Sequence, residues 1–297
     1  MSLYVPKPDV ETRLFEFSGA YQLIQGVSFR SKTTADRYPK TAAIFVHGTE
    51  AFWSSPPNCY VAGSFASNGV PSFVYNGVHS GGTFRSSEFE LAVSELGELV
   101  LQLTSTGVEH FIICGHSLGT PIVQAFAASS HAAQVAAIML YGPHINIPYV
   151  TQHVLLGPNR YQEFLNNCRS LVSSGRGEEI LLLPHRQGRS IVTSAKTFLS
   201  YRDIETSKAN VEPIIKDITA PIFIAYDDMD NFVSSDFEIT RASITQAIKS
   251  KATGTYTVDI VLVPSHDSNT PVDAHLFRFN ERRLADLSIG WLDKIFA

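Results

Sequence analysis

Six short apolar runs recur along the chain and restrict its fold more than any other feature of the sequence. They lie at 42–46, 72–75, 111–114, 136–140, 222–226 and 258–263. Their apolarity is continuous rather than alternating, which is typical of strands buried on both faces of a parallel sheet. Most are followed by turn residues and then by a helical pattern, whereas 13–17 and 21–30 alternate more and indicate an antiparallel hairpin. The sequence therefore predicts an α/β fold with a doubly wound, mostly parallel sheet.

One stretch, residues 144–218, interrupts the alternation of strands and helices. It contains no clear strand but has helical patterns at about 160–174, 193–201 and 209–217. An insertion of roughly 75 residues is too long for a structureless loop. We therefore predict an inserted helical cap at 144–218 and a core made of 1–143 and 219–297. Ligands of open α/β sheets bind at the carboxyl edge of the strands, so the cap is expected to roof the site.

Composition excludes several other classes of protein. The net charge of −5 argues against a nucleic-acid-binding protein, which is normally basic. No apolar run reaches the length of about 18 residues that a membrane span requires, and residues 1–7 lack the apolar core of a signal peptide. Cys59, Cys114 and Cys168 are too few and too scattered for a disulfide framework or a zinc site. A soluble, cytoplasmic protein is expected.

The pentapeptide Gly115-His116-Ser117-Leu118-Gly119 follows one apolar run and precedes an Ala-rich apolar stretch at 121–128. This pattern of strand, sharp turn and helix would push the Ser117 hydroxyl out above the sheet, over the positive end of the helix. The pentapeptide alone is a weak signal, and the strand before it and the helix after it give it weight. The absence of G-x-G-x-x-G argues against a dinucleotide-binding turn.

A nucleophilic serine needs a base, and that base needs a third group to orient it. Asp227, Asp228 and Asp230 follow the run 222–226, and His266 follows the run 258–263. Its place directly after the last predicted strand favours His266 as the base, with His275, near the start of the final helix, as the alternative.

This order of residues resembles the α/β-hydrolase superfamily, and most of all its cap-bearing carboxylesterase, lysophospholipase and serine-aminopeptidase-like branch. The resemblance spans the chain from about Arg13 onward. The segment Asp227-Asp228-Met229-Asp230-Asn231-Phe232-Val233 is similar to the family's Gly-x-x-Asp-x-x-Val pattern, with Asp in place of the leading Gly. The resemblance implies that Asp230 is the acid of the triad, with Asp228 and then Asp227 as alternatives.

The segment His47-Gly48-Thr49 resembles the family's His-Gly-x element. The resemblance implies an oxyanion hole made of the backbone N–H groups of Leu118 and Thr49. His47 is expected to shape this loop rather than to carry protons.

Together these features predict a serine hydrolase that cleaves a carboxylic ester or related acyl compound through an acyl-enzyme. A small-molecule acyl substrate is the expected partner. No metal and no organic cofactor is expected, since the sequence has no H-E-x-x-H, Cys cluster or adjacent His pair. The alternatives are a carbon–carbon bond or amide/lactone hydrolase on the same triad, an acyltransferase, and a small-molecule receptor with low turnover. The oligomeric state is left open.

The predicted cap carries slightly more basic than acidic residues. An anionic group of the substrate could contact Arg186, Arg189 or Arg202. Solvated surface charge is the favoured interpretation, because arginines are mostly exposed.

Overall fold

The computed structural model describes residues 7–49, 51–184, 190–230, 246, 250, 258–264 and 270–297. Its strands are β1 (Val10–Ser18), β2 (Leu23–Ser31), β3 (Thr41–Val46), β4 (Ser72–Asn76), β5 (His110–His116), β6 (Val135–Tyr141), β7 (Ile180–Pro184), β8 (Ser190–Ser194), β9 (Ile222–Asp227) and β10 (Val258–Val263). The main sheet has eight strands, in the order β1-β2-β4-β3-β5-β6-β9-β10. The pairs β1–β2 and β2–β4 are antiparallel and all the others are parallel, which confirms the predicted sheet.

Helices cover both faces of this sheet. They are α1 (Asn58–Ser67), α2 (Phe89–Thr104), α3 (Gly119–Ala127), α4 (Ile147–Tyr149), α5 (Pro158–Ser173), α6 (Ala195–Arg202), α7 (Pro271–His275) and α8 (Glu281–Phe296). Shorter 3-10 segments lie at Gly81–Ser86, Ala132–Gln134 and Glu212–Asp217, and a π-helical segment, Val150–Leu156, continues α4. α2 and α3 pack on one face, and α1 and α8 pack on the other. None of the helices in the described part of the chain is long and apolar enough to cross a membrane.

Strand β5 explains why the apolar runs are continuous. Phe111 and Ile113 belong to the core on the α2–α3 face, whereas Ile112 and Cys114 belong to the core on the α1–α8 face. All four side chains are fully buried. Because successive side chains of a strand point to opposite faces, a strand covered on both faces needs apolar residues at every position.

Between β6 and β9 the chain leaves the sheet and forms a structure with its own small core. The expected absence of strands here was wrong, because β7 and β8 pair as an antiparallel hairpin. The run 180–183 is short, and periodicity does not distinguish so short a strand from one turn of a buried helix. The buried residues of this core are Leu156, Tyr161, Leu165, Cys168, Leu171, Leu183, Ala195 and Phe198.

Helix α6 connects this insertion to the main body. The Phe89 N–H, at the start of α2, donates to Ser200 Oγ at 2.8 Å. The rings of Phe89 and Tyr201 pack edge to face, with centroids 5.6 Å apart. α6 is therefore fixed beside the start of α2, the helix that follows β4.

Candidate active site

Ser117 occupies the sharp turn between β5 and α3. Its φ of +52° lies in the left-handed region, which is strained for any residue other than glycine. Its N–H donates to the Tyr141 carbonyl at 3.0 Å, and its carbonyl accepts bonds from the N–H (2.9 Å) and the hydroxyl (2.6 Å) of Thr120. These bonds hold the strained turn in place, so the serine has a fixed position.

The two glycines of the pentapeptide are needed for close packing. A Cβ atom on Gly115 would lie 2.6 Å from the Gly119 carbonyl oxygen. One on Gly119 would collide with the Val46 carbonyl oxygen of β3. Both obstacles are backbone atoms, so a side chain at either position would push the turn away from the sheet.

The hydroxyl of Ser117 lies next to a histidine, which in turn contacts a carboxylate. His275 Nε2 is 2.8 Å from Ser117 Oγ, and His275 Nδ1 is 2.9 Å from Asp230 Oδ2. His275 and Asp230 are 4% and 2% exposed. Because a carboxylate only accepts, Nδ1 carries the proton, and Nε2 accepts the hydrogen bond from the Ser117 hydroxyl.

The sequence favoured His266 as the histidine next to Ser117. In the structure His275 makes this contact. His266 lies outside the described residues, as do Asn231, Phe232 and Val233 of the segment that resembled the family pattern. Strand β10 ends at Val263, but the chain reaches the serine only at the last residue of α7. The histidine that contacts Ser117 is the alternative, His275, at the end of a later helix.

The sequence contains a pattern that indicates the start of α7. Thr270 is the N-cap of this helix, and its hydroxyl accepts from the Asp273 N–H at 3.1 Å. Pro271 follows at the first helical position. A Thr-Pro pair with an acidic residue three positions after the threonine is typical of a helix start, and this helix presents His275 at its end.

Asp230 is the carboxylate at the site, and the two alternatives lie elsewhere. Asp227 is fully buried and accepts from the Met229 N–H at 3.0 Å and from Asn280 Nδ2 at 2.8 Å, so it stabilises the turn after β9. Asp228 is exposed. The Asp230 N–H donates to the Asp227 carbonyl at 3.0 Å, which turns its side chain inward.

Two further histidines lie beside His275. His116 Nε2 donates to the backbone carbonyl of His275 at 2.7 Å, which ties α7 to the turn that carries Ser117. The His144 ring is 6.1 Å from the His275 ring, between centroids. Burial, helped by the nearby His275, lowers the pKa of both His116 and His144 to about 3. Both are therefore neutral near pH 7.

The loop after β3 approaches Ser117 from the other side. A Cβ atom on Gly48 would lie 3.4 Å from Ser117 Oγ, so the backbone there is close to the serine hydroxyl. His47 holds this loop: its Nδ1 donates to the Gly48 carbonyl at 2.8 Å, and its Nε2 accepts from Ser80 Oγ at 2.7 Å. Burial lowers the pKa of His47 to about 4, so its ring is neutral near pH 7 and supports the loop through these two hydrogen bonds. Thr49 follows directly and is half-buried.

A buried carboxyl, Glu95, supports the loop that faces His47. Its Oε2 accepts from the Val78 N–H and its Oε1 from Gln22 Nε2, both at 2.7 Å. Burial raises the pKa of Glu95 to about 7, against an ordinary value of 4.5. The folded protein therefore holds this proton at pH values where the unfolded chain has released it.

This shift predicts a pH-dependent stability. Stability contributed by the raised pKa of Glu95 is present below pH 4.5 and is lost as the pH rises through about 7. Glu95→Gln cannot ionise, so its free energy of unfolding relative to wild type should increase by about 3 kcal/mol between pH 4.5 and 8. Denaturant unfolding at several pH values measures this difference. A difference that does not change with pH would mean that Glu95 titrates alike in the folded and unfolded chain.

Solved structures of other proteins share this fold over nearly the whole chain. The siderophore hydrolase EstB from Aspergillus fumigatus is 12% identical, with a TM-score of 0.69 over 98% of this chain and 99% of its own. Est1E from Butyrivibrio proteoclasticus, whose structure contains ferulic acid, is 16% identical, with a TM-score of 0.69 over 95% of this chain and 99% of its own. The α/β hydrolase GrgF from Penicillium sp. sh18 is 16% identical, with a TM-score of 0.69 over 96% of this chain and 98% of its own.

At the level of sequence alone, no protein-family model matches the chain, and no curated protein matches it significantly. The likeness therefore lies in the three-dimensional fold. The strand order of the main sheet and the structural neighbours agree that the chain has the α/β-hydrolase fold.

Proposed function

We propose that this protein is a serine hydrolase that cleaves a carboxylic ester or a related acyl compound. Ser117 is the nucleophile, His275 the general base and Asp230 the residue that orients the base. One observation carries the proposal: the unbroken series of hydrogen bonds from Ser117 Oγ through both ring nitrogens of His275 to Asp230 Oδ2. That several neighbours of this fold are hydrolases supports it.

In this mechanism Ser117 Oγ attacks the acyl carbon while His275 Nε2 takes the hydroxyl proton. The same nitrogen then gives that proton to the leaving oxygen, and the acyl group remains on the serine. Water attacks the acyl-enzyme next, again losing a proton to His275, and the acid is released. Asp230 remains ionised and stabilises the positive charge that appears on the ring.

We further propose the N–H groups of Leu118 and Thr49 as the oxyanion hole. Leu118 directly follows the nucleophile at the start of α3, and the Gly48 backbone before Thr49 lies beside Ser117. Among the described residues, neither N–H has an acceptor, so both donors are available to a substrate oxygen. Donors of this kind contribute about 3 kcal/mol each to the stability of the transition state.

We propose residues 144–218 as a cap that selects the substrate. This insertion has a small core of its own and is attached to α2 through α6. Carboxylesterase-like chemistry would then be set by the triad, and substrate choice by the insertion.

A fluorophosphonate probe tests the proposed function directly. Intact-mass analysis is expected to show one adduct on the wild type and none on Ser117→Ala, because only a serine activated by a base reacts. Circular dichroism of both proteins controls for folding. A folded wild type without an adduct, or an equal adduct on Ser117→Ala, would contradict the proposal.

A further inference from the structure

Arg202, the last residue of α6, is a buried arginine. Its side chain lies inside the insertion and the residue is 5% exposed. Its Nη1 donates to Thr151 Oγ1 at 2.7 Å, and the Thr151 hydroxyl donates in turn to the Ile147 carbonyl at 2.8 Å. The expectation of solvated surface charge thus fails for Arg202, while Arg186 and Arg189 lie outside the described residues.

The charge of Arg202 has no counter-ion in the described part of the chain. The carboxylates that follow it, Asp203 and Glu205, both pair with Arg169, at 2.8 Å and 2.7 Å. Thr151 is the only described residue whose side chain accepts a hydrogen bond from Arg202. Burying a charge without a partner costs several kcal/mol. A ligand of opposite charge at Arg202 would offset this cost.

The position of Arg202 connects it to the candidate active site. Through Thr151 it is linked to the Ile147 carbonyl, three residues along the chain from His144, whose ring lies 6.1 Å from that of His275. Burial lowers the pKa of Arg202 to about 10, so the guanidinium is still charged near pH 7. A cation therefore lies in the part of the insertion that adjoins the candidate active site.

We propose that Arg202 binds a carboxylate of the substrate, so that the preferred substrate is an ester whose acyl part carries a second, anionic end. This inference rests on the proposed function and deepens it. With Nη1 engaged by Thr151, Nε and Nη2 form the remaining edge of the guanidinium, and these two parallel donors match the two oxygens of a carboxylate. The hydroxyl of Thr151 fixes the plane of that edge.

Two nitrophenyl esters of similar length test the proposal: the half-ester of glutaric acid and the neutral ester of pentanoic acid. The measured quantity is the ratio of kcat/KM for the anionic ester to that for the neutral one. Arg202→Gln is expected to lower this ratio at least about 30-fold, the effect of removing one partner of a buried charge pair. Arg202→Lys should fall between the two, because it keeps the charge but loses the paired donors.

The matched control is Arg176→Gln, an exposed arginine of the same insertion that pairs with Glu179, and it should keep the wild-type ratio. An Arg202→Gln variant with an unchanged ratio would overturn the proposal, even if both rates fell together. Wild-type hydrolysis of the neutral ester with no preference for the anionic one would also overturn it, while leaving the serine hydrolase intact.

A binding measurement keeps the test independent of turnover and of the folding of the variants. Calorimetry of the wild type with glutarate is expected to show binding that neutral glutaramide does not. Equal binding of both compounds, or of neither, would contradict an anion site. If the wild type bound glutarate but formed no fluorophosphonate adduct, the proposed function would be wrong, and the anion site would still stand.

Discussion

Replacing His275 by alanine is expected to lower kcat/KM for a nitrophenyl ester about 10⁶-fold, the loss found when a triad histidine is removed from a serine hydrolase. The reason is geometric: His275 Nε2, the proposed base, lies 2.8 Å from Ser117 Oγ. Without it the hydroxyl keeps its proton and attacks poorly. Steady-state kinetics on purified protein, with thermal unfolding to confirm the fold, measures the effect.

His266→Ala is the informative control, because the sequence alone favoured that residue. It is expected to retain activity close to the wild type and to keep the fluorophosphonate adduct, which His275→Ala should form far more slowly. If His266→Ala lost activity and His275→Ala kept it, the base would be the residue first predicted and the proposed triad would be wrong.

Asp230→Asn is expected to lower kcat about 10⁴-fold with little change in fold. An amide of the same shape can turn its NH₂ toward His275 Nδ1, which favours the tautomer with the proton on Nε2. That tautomer cannot accept the proton of Ser117. The loss should therefore appear in kcat rather than in KM, because Asp230 acts on the base and not on the bound substrate.

Asp228→Asn serves as the matched control for Asp230→Asn. Asp228 is two residues away in the same turn but is exposed, so its variant should hydrolyse esters at nearly the wild-type rate. Equal losses in both variants would mean that the turn after β9 is merely sensitive to charge. In that case Asp230 would have no special role.

The sheet and the position of the turn that carries Ser117 were predictable from the sequence for the same physical reason. Strands buried on both faces must be apolar at every position, so β5 and β9 stand out, and their ends locate Ser117 and the three aspartates. The glycines of the turn are also readable, because Gly119 lies against the backbone of β3.

The histidine and the buried arginine were not predictable in this way. His275 contacts Ser117 from the end of α7, well beyond the end of β10 in the sequence. In sequence Arg202 resembles any surface charge, but in the structure it is buried against Thr151, and Arg169 pairs with both carboxylates that follow it. Such pairings are tertiary and leave no local pattern.

The hydrogen bond from His116 to the His275 carbonyl has a consequence for how activity arises during folding. Ser117 lies in the middle of the chain, whereas His275 reaches it only with α7 docked against the turn between β5 and α3 and with the buried Phe277 in the core shared with α8. A chain with a complete sheet but an undocked last segment would hold Ser117 without the proposed base. Hydrolysis would then appear only after α7 has docked, and not when the core of the sheet forms. An incompletely folded molecule would be inactive rather than an unselective hydrolase.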